Sequence, residues 1–70
     1  METTIAITVN GENRAVPQGA TVSDLLRELN LQSGRVAVEY NLEILARPKW
    51  PETLIISGDR FEIVHFVGGG

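Results

Sequence analysis

The sequence predicts a single α+β domain in which one helix lies across one face of a mixed sheet, with the element order β-β-α-β-β-β. Three observations lead there. Ile5, Ile7 and Val9 alternate as in a half-buried strand; Val22, Leu25, Leu26 and Leu29 recur at i, i+3, i+4 and i+7; and "RFEIVHFV", residues 60–67, is a second β-rich run near the other end of the chain. A helix with one apolar stripe and a sheet with one apolar face each need a cover, and covering one another makes a single core. At 70 residues the chain can build one such core and no more.

The first strand leads into Asn10–Gly11, two residues that tolerate positive φ, so "NRAVP" is expected to return antiparallel as the second arm of a hairpin. The period then changes. A helix is predicted from about Val22 to Leu31, with Ser23, Asp24, Arg27 and Glu28 on its solvent side. Thr21 is the expected N-cap, its hydroxyl accepting from the Asp24 N–H while the Asp24 side chain reciprocates, and Gly34 marks the exit. "RVAVEY" reads as a strand, and "LEIL" as a brief one after a turn at Asn41. Pro48 and Pro51 cannot donate to a ladder, so "ARPKWPETLI" is expected to be an irregular crossover with one helical turn, pinned to the body by Trp50. "SGD", residues 57–59, is a turn into the last strand. On that strand Phe61 and Ile63 are placed toward the helix, which leaves Val64 and Phe66 on the outer side as a docking patch.

Composition removes several classes of function. There is no cysteine, hence no disulfide scaffold, thiolate metal site or side-chain sulfur chemistry. The single histidine, His65, cannot assemble a metal centre alone, and it is read as a strand residue rather than a proton shuttle. A net charge of −3 with six scattered cationic residues argues against nucleic acid as a partner. No apolar run approaches the roughly 20 residues that span a bilayer, and "METTIAITV" lacks the pattern of a signal peptide, so the expected location is cytoplasmic with no membrane partner. No phosphate-binding loop and no credible Ser-His-Asp set is present, and no metal site is expected.

What remains is "VHFVGGG", residues 64–70. Glycine buries no side chain and loses the most freedom on ordering, so three in succession are not there for stability. The chain is read as a domain over residues 1–67 and a flexible C-terminal glycine tail over 68–70, with the α-carboxylate of Gly70 as its one unusual chemical group. Glu39, Glu43, Asp59 and Glu62 are candidate surface carboxylates for a basic partner, Arg47 and Lys49 are read as solvated loop charges, and Trp50 as a core anchor.

"ITVNGE", the G-x-T-V-x-x-L-L pattern from Gly19 to Leu26, "VAVEYNLEILARPKW" and above all "GDRFEIVHFVGGG" resemble the ThiS-type sulfur carriers of thiazole formation in thiamine biosynthesis, within the ubiquitin-like β-grasp family. The resemblance spans essentially the whole chain. It departs at Leu42, where the family often has glycine after asparagine, and at Ala46, where it often has proline before arginine. It implies a carrier rather than an enzyme: Gly70 is converted to an acyl adenylate and then a thiocarboxylate, Gly68 and Gly69 enter the partner's active site, and Val64, Phe66 and Val67 dock. The implied partners are an E1-like adenylyltransferase of ThiF type, a ThiG-type thiazole synthase and a sulfur-donating enzyme. No cofactor is bound by the carrier, and ATP is consumed by the activating partner. Related alternatives are the carrier of molybdopterin synthesis, whose approach to Gly-Gly usually contains the proline absent here, and a ubiquitin-like protein modifier.

Overall fold

The computed structural model describes residues 3–31 and 35–66. The strands are β1 (Thr4–Val9), β2 (Glu12–Pro17), β3 (Val36–Tyr40), β4 (Glu43–Leu45) and β5 (Arg60–His65); helix α1 (Val22–Glu28) follows β2, and a 3₁₀ helix (Arg47–Glu52) follows β4. They form one sheet in the order β2-β1-β5-β3-β4. The predicted element order holds.

Asn10 and Gly11 take φ of 51° and 82°, the left-handed pair that joins twisted strands in two residues, and so bring Val9 opposite Glu12. Pro17 closes β2, where its missing N–H costs nothing because β2 is an edge strand. The chain then crosses to α1, entered through the predicted capping box: Asp24 N–H donates to Thr21 Oγ1 at 3.2 Å, and Thr21 N–H donates to Asp24 Oδ2 at 2.9 Å. That backbone donor, with further hydrogen bonds from the Thr21 and Arg27 side chains and the Arg27 charge, outweighs the opposing effect of burial and holds the Asp24 carboxyl below its ordinary 3.8.

The helix ends earlier than its apolar stripe suggests. Leu29 is the C-cap and Asn30 takes φ 62°, so that Leu31 N–H donates to Leu26 O at 2.7 Å and Asn30 N–H to Arg27 O at 3.0 Å. These two bonds close the last carbonyls in a Schellman turn, with asparagine in the place glycine usually takes. The predicted exit at Gly34 lies outside the described residues, and the exit belongs to Asn30.

Parity along the strands sets the core. Ile7, Val16, Val38, Phe61 and Ile63 point to the face covered by Val22, Leu25 and Leu26, and all are buried with Trp50 and Ile55. Phe61 is fully enclosed, worth about 1.5–3 kcal/mol against an exposed ring. The crossover is more ordered than "irregular" implied. Pro48, near its N-terminus, suits a helix start, and the 3₁₀ helix puts Trp50 under the sheet edge, where its indole N–H donates to Leu45 O at 3.0 Å. Arg47, expected to be a solvated charge, stacks over the Trp50 ring with its guanidinium carbon 4.6 Å from the ring centroid.

Candidate functional site

β5 occupies the middle of the sheet, parallel to β1 and antiparallel to β3. Its parallel seam to β1 contains only Thr8↔Arg60 and Val9↔Phe61 as paired residues. Side chains lengthen that seam. Asn10 Oδ1 accepts from Ile63 N–H at 2.7 Å, and Asn10 Nδ2 donates to Ile63 O at 3.2 Å, so one amide serves as a further strand residue. On the other side Asn41 Oδ1 accepts from Arg60 N–H at 2.9 Å. Both hairpin turns therefore grip the last strand.

Asp59, at the entry to β5, is not the surface carboxylate expected of it. It is 4% exposed and accepts from Tyr40 Oη at 3.0 Å, Asn41 Nδ2 at 3.2 Å and Ile56 N–H at 2.9 Å. Donors already occupy its oxygens, so it joins the β3–β4 turn to the loop before β5. Burial first, and then the hydrogen bond and charge of Asp59, push the Tyr40 hydroxyl above its ordinary 10.0, while the Tyr40 ring lies 5.2 Å from that of Phe61.

Held in this way, β5 turns Phe61 and Ile63 inward and Glu62 and Val64 outward. Register places Val64 opposite Ala37, Glu62 opposite Glu39, and Glu39 opposite Ile44. Phe66 continues the ladder one step past β5, its N–H donating to Arg35 O at 2.8 Å. Val64 is 53%, Phe66 54% and Ile44 73% exposed, so the uncovered face carries three large apolar side chains around a cross-strand pair of carboxylates. Val64 and Phe66 thus lie where the sequence placed them. His65, paired with Val36, is an exposed strand residue. Val67, Gly68, Gly69 and Gly70 lie outside the described residues.

Ile44 was not foreseen as part of this face. The available signal was the two-residue turn at Asn41–Leu42, which sets Val38 against Leu45 and Glu39 against Ile44; once Val38 is inside, Ile44 must be outside. Among the described residues no group of three His, Cys, Asp or Glu side chains is placed to hold a metal ion, and no helix is long and apolar enough to cross a membrane. A groove of about 460 Å³ lies away from this face, between β2 and α1, lined by Val16, Pro17, Gly19, Asp24 and Arg27. Its charged groups are already engaged, Asp24 in the cap, Arg27 with Asp24 at 3.1 Å, and Glu28, which also lines it, with Arg14 at 3.3 Å.

The model of the ThiS family matches residues 5–70, which takes in nearly the whole fold and the glycines beyond it. The chain belongs to the ThiS family. A crystal structure of the thiamine biosynthesis protein ThiS from Geobacter metallireducens superposes with a TM-score of 0.80 at 36% identity, covering 94% of this chain and 100% of that one. The ubiquitin-like β-grasp fold of the ThiS family is therefore the fold of this chain. Sulfur carrier protein ThiS of Bacillus subtilis is 44% identical over 50 residues, 71% of this chain and 76% of that protein. A thiazole synthase of Paramagnetospirillum magneticum is also 44% identical, over 64 residues that make up 91% of this chain and 20% of that enzyme. The chain spans about a fifth of the length of the thiazole synthases it matches.

Proposed function

We propose that this ThiS-family chain carries sulfur to thiazole formation as a thiocarboxylate on Gly70. The observation that carries this reading is the extent of the family match, which continues from β5 through all three glycines to residue 70. The chemistry follows from the group. A carboxylate spreads its charge over two oxygens and resists nucleophiles. An oxygen of Gly70 attacks the α-phosphorus of ATP in the ThiF-type partner, pyrophosphate leaves, and the carbonyl carbon gains a good leaving group. Sulfur at the hydrosulfide level then attacks that carbon, AMP departs with the electron pair of the broken C–O bond, and the sulfur gives its proton to water, leaving the thiocarboxylate. The partner supplies catalysis and consumes the ATP; the carrier supplies an addressable acyl group. Gly68 and Gly69, without side chains, suit passage through a narrow channel where backbone must approach closely on all sides.

The uncovered face supports the docking part of the reading. Val64, Phe66 and Ile44 offer apolar area, and the Glu39–Glu62 pair, on a chain of net charge −3, matches a partner surface that presents a cation. Val67 extends the same docking segment in this proposal. The thiazole synthase partner is supported by the thiazole synthases that contain a segment like this chain. Intact-mass analysis after incubation with the adenylating enzyme, ATP and a sulfur donor tests the proposal. A gain equal to sulfur replacing oxygen, located by fragmentation at Gly70, is expected; an unchanged mass alongside AMP-free enzyme would refute it, and covalent adducts to lysines would favour a protein modifier.

A further inference from the structure

Asn10 is the one asparagine of the chain's four that precedes a glycine, the others standing before Arg14, Leu31 and Leu42. We infer that the Asn10–Gly11 bond is a self-modification site held in check by the grip of Asn10 on Ile63, and that its conversion unfastens the N-terminal hairpin from β5. The reaction needs only water. The backbone nitrogen of Gly11, unshielded by a neighbouring Cβ, attacks Asn10 Cγ; the bond to the side-chain nitrogen breaks, ammonia leaves, and a five-membered succinimide closes. Water then opens either carbonyl of the ring, leaving aspartate or a β-linked isoaspartate at that position.

The fold opposes the first step. Both polar atoms of the Asn10 amide are committed to Ile63, and the Asn10 N–H donates to Phe61 O at 2.8 Å. Swinging Cγ toward the Gly11 nitrogen breaks the two side-chain bonds together, so the reaction proceeds from an opened state whose population is set by local unfolding. The products cannot restore the grip. A carboxylate has no donor for Ile63 O, and would face that carbonyl with a negative charge. An isoaspartate adds a main-chain carbon to a two-residue turn that sets Val9 against Glu12, so the β1–β2 register cannot survive it. The seam to β5 keeps only Thr8↔Arg60 and Val9↔Phe61 in register, and beyond Val9 it depends on Asn10. A chain that opens here is marked irreversibly, whereas a closed one lasts.

The full chain, held folded at mildly alkaline pH and in parallel unfolded in urea, tests this by peptide mapping of the amide-to-acid mass gain. In urea, conversion is expected at Asn10 ahead of Asn13, Asn30 and Asn41; in the folded chain it is expected to be slower by at least about tenfold. Material aged in urea and refolded, like a directly made Asn10→Asp variant, is expected to melt lower by about 5–15 °C. Equal rates in the two conditions, faster conversion at another asparagine, or an unchanged melting temperature for Asn10→Asp would each overturn the inference.

Discussion

The side chain of Asn10 closes a two-way hydrogen-bonded pair with the backbone of Ile63, 53 residues away, at 2.7 and 3.2 Å. A turn residue thereby acts as the missing rung of the parallel ladder between β1 and β5. Asn10→Ala is expected to cost about 1–3 kcal/mol, since it leaves a part-buried N–H and C=O without partners. That is a large share of the roughly 4–10 kcal/mol available to a domain of this size. Urea unfolding measures it, and a loss below about 0.5 kcal/mol would mean that water replaces the amide freely.

Leu42 shows the opposite situation, a residue held where its own chemistry resists. It takes φ 75° at the second position of the Asn41–Leu42 turn and is 72% exposed, so it pays steric strain with little burial in return. Leu42→Gly relieves about 1–2 kcal/mol of left-handed strain against about 0.5–1 kcal/mol of added chain entropy. A net gain of about 0.5–1 kcal/mol in unfolding free energy is the expected result, and a loss would show that the leucine side chain contributes more than its exposure suggests.

Glu39 and Glu62 face each other across β3 and β5, and like charges directly opposite weaken a sheet. Glu62→Gln is expected to raise stability by about 0.2–1 kcal/mol at low salt, with the gain shrinking as salt is added. If the pair also meets a cation on the activating enzyme, the same variant binds that enzyme more weakly. Parallel melting and titration experiments read the two effects, and weaker melting would contradict the repulsion.

The raised Tyr40 hydroxyl ties stability to alkaline pH. An acid whose folded pKa is raised holds its proton longer in the folded chain than in the unfolded one. Its contribution is therefore complete below the ordinary 10.0 and is lost as pH climbs through the folded value. Unfolding free energies measured between about pH 9 and 11 are expected to fall less steeply for Tyr40→Phe than for the parent chain. Parallel slopes would remove Tyr40 from that dependence.

Two variants separate the body from the chemistry proposed for its end. Phe66→Glu should leave the melting temperature nearly unchanged while weakening association with the adenylating enzyme by about tenfold or more, because a charge would have to be desolvated in an apolar contact. Gly70→Val should leave the urea midpoint unchanged while abolishing pyrophosphate exchange, since the described core is complete from Ile7 to Ile63 and a branched side chain would stand beside the reacting carbon. Calorimetry and isotope exchange decide these, and wild-type exchange by Gly70→Val would remove the terminal carboxylate from the mechanism.

By itself the sequence determined the element order, the Asn10–Gly11 hairpin, the Thr21–Asp24 cap and the outward placement of Val64 and Phe66, because each depends on residues close together in the chain and on periods of 2.0 or 3.6. Resemblance in its last strand and glycines pointed to the ThiS family. Tertiary structure alone decided that Asn10 grips Ile63 and that Asp59 is buried under three donors, while the place of Ile44 follows from the register that the Asn41–Leu42 turn sets. Those partners are distant in sequence or set by register, and a polar side chain carries no local signal of whether its hydrogen bonds will go to water or to a strand folded against it.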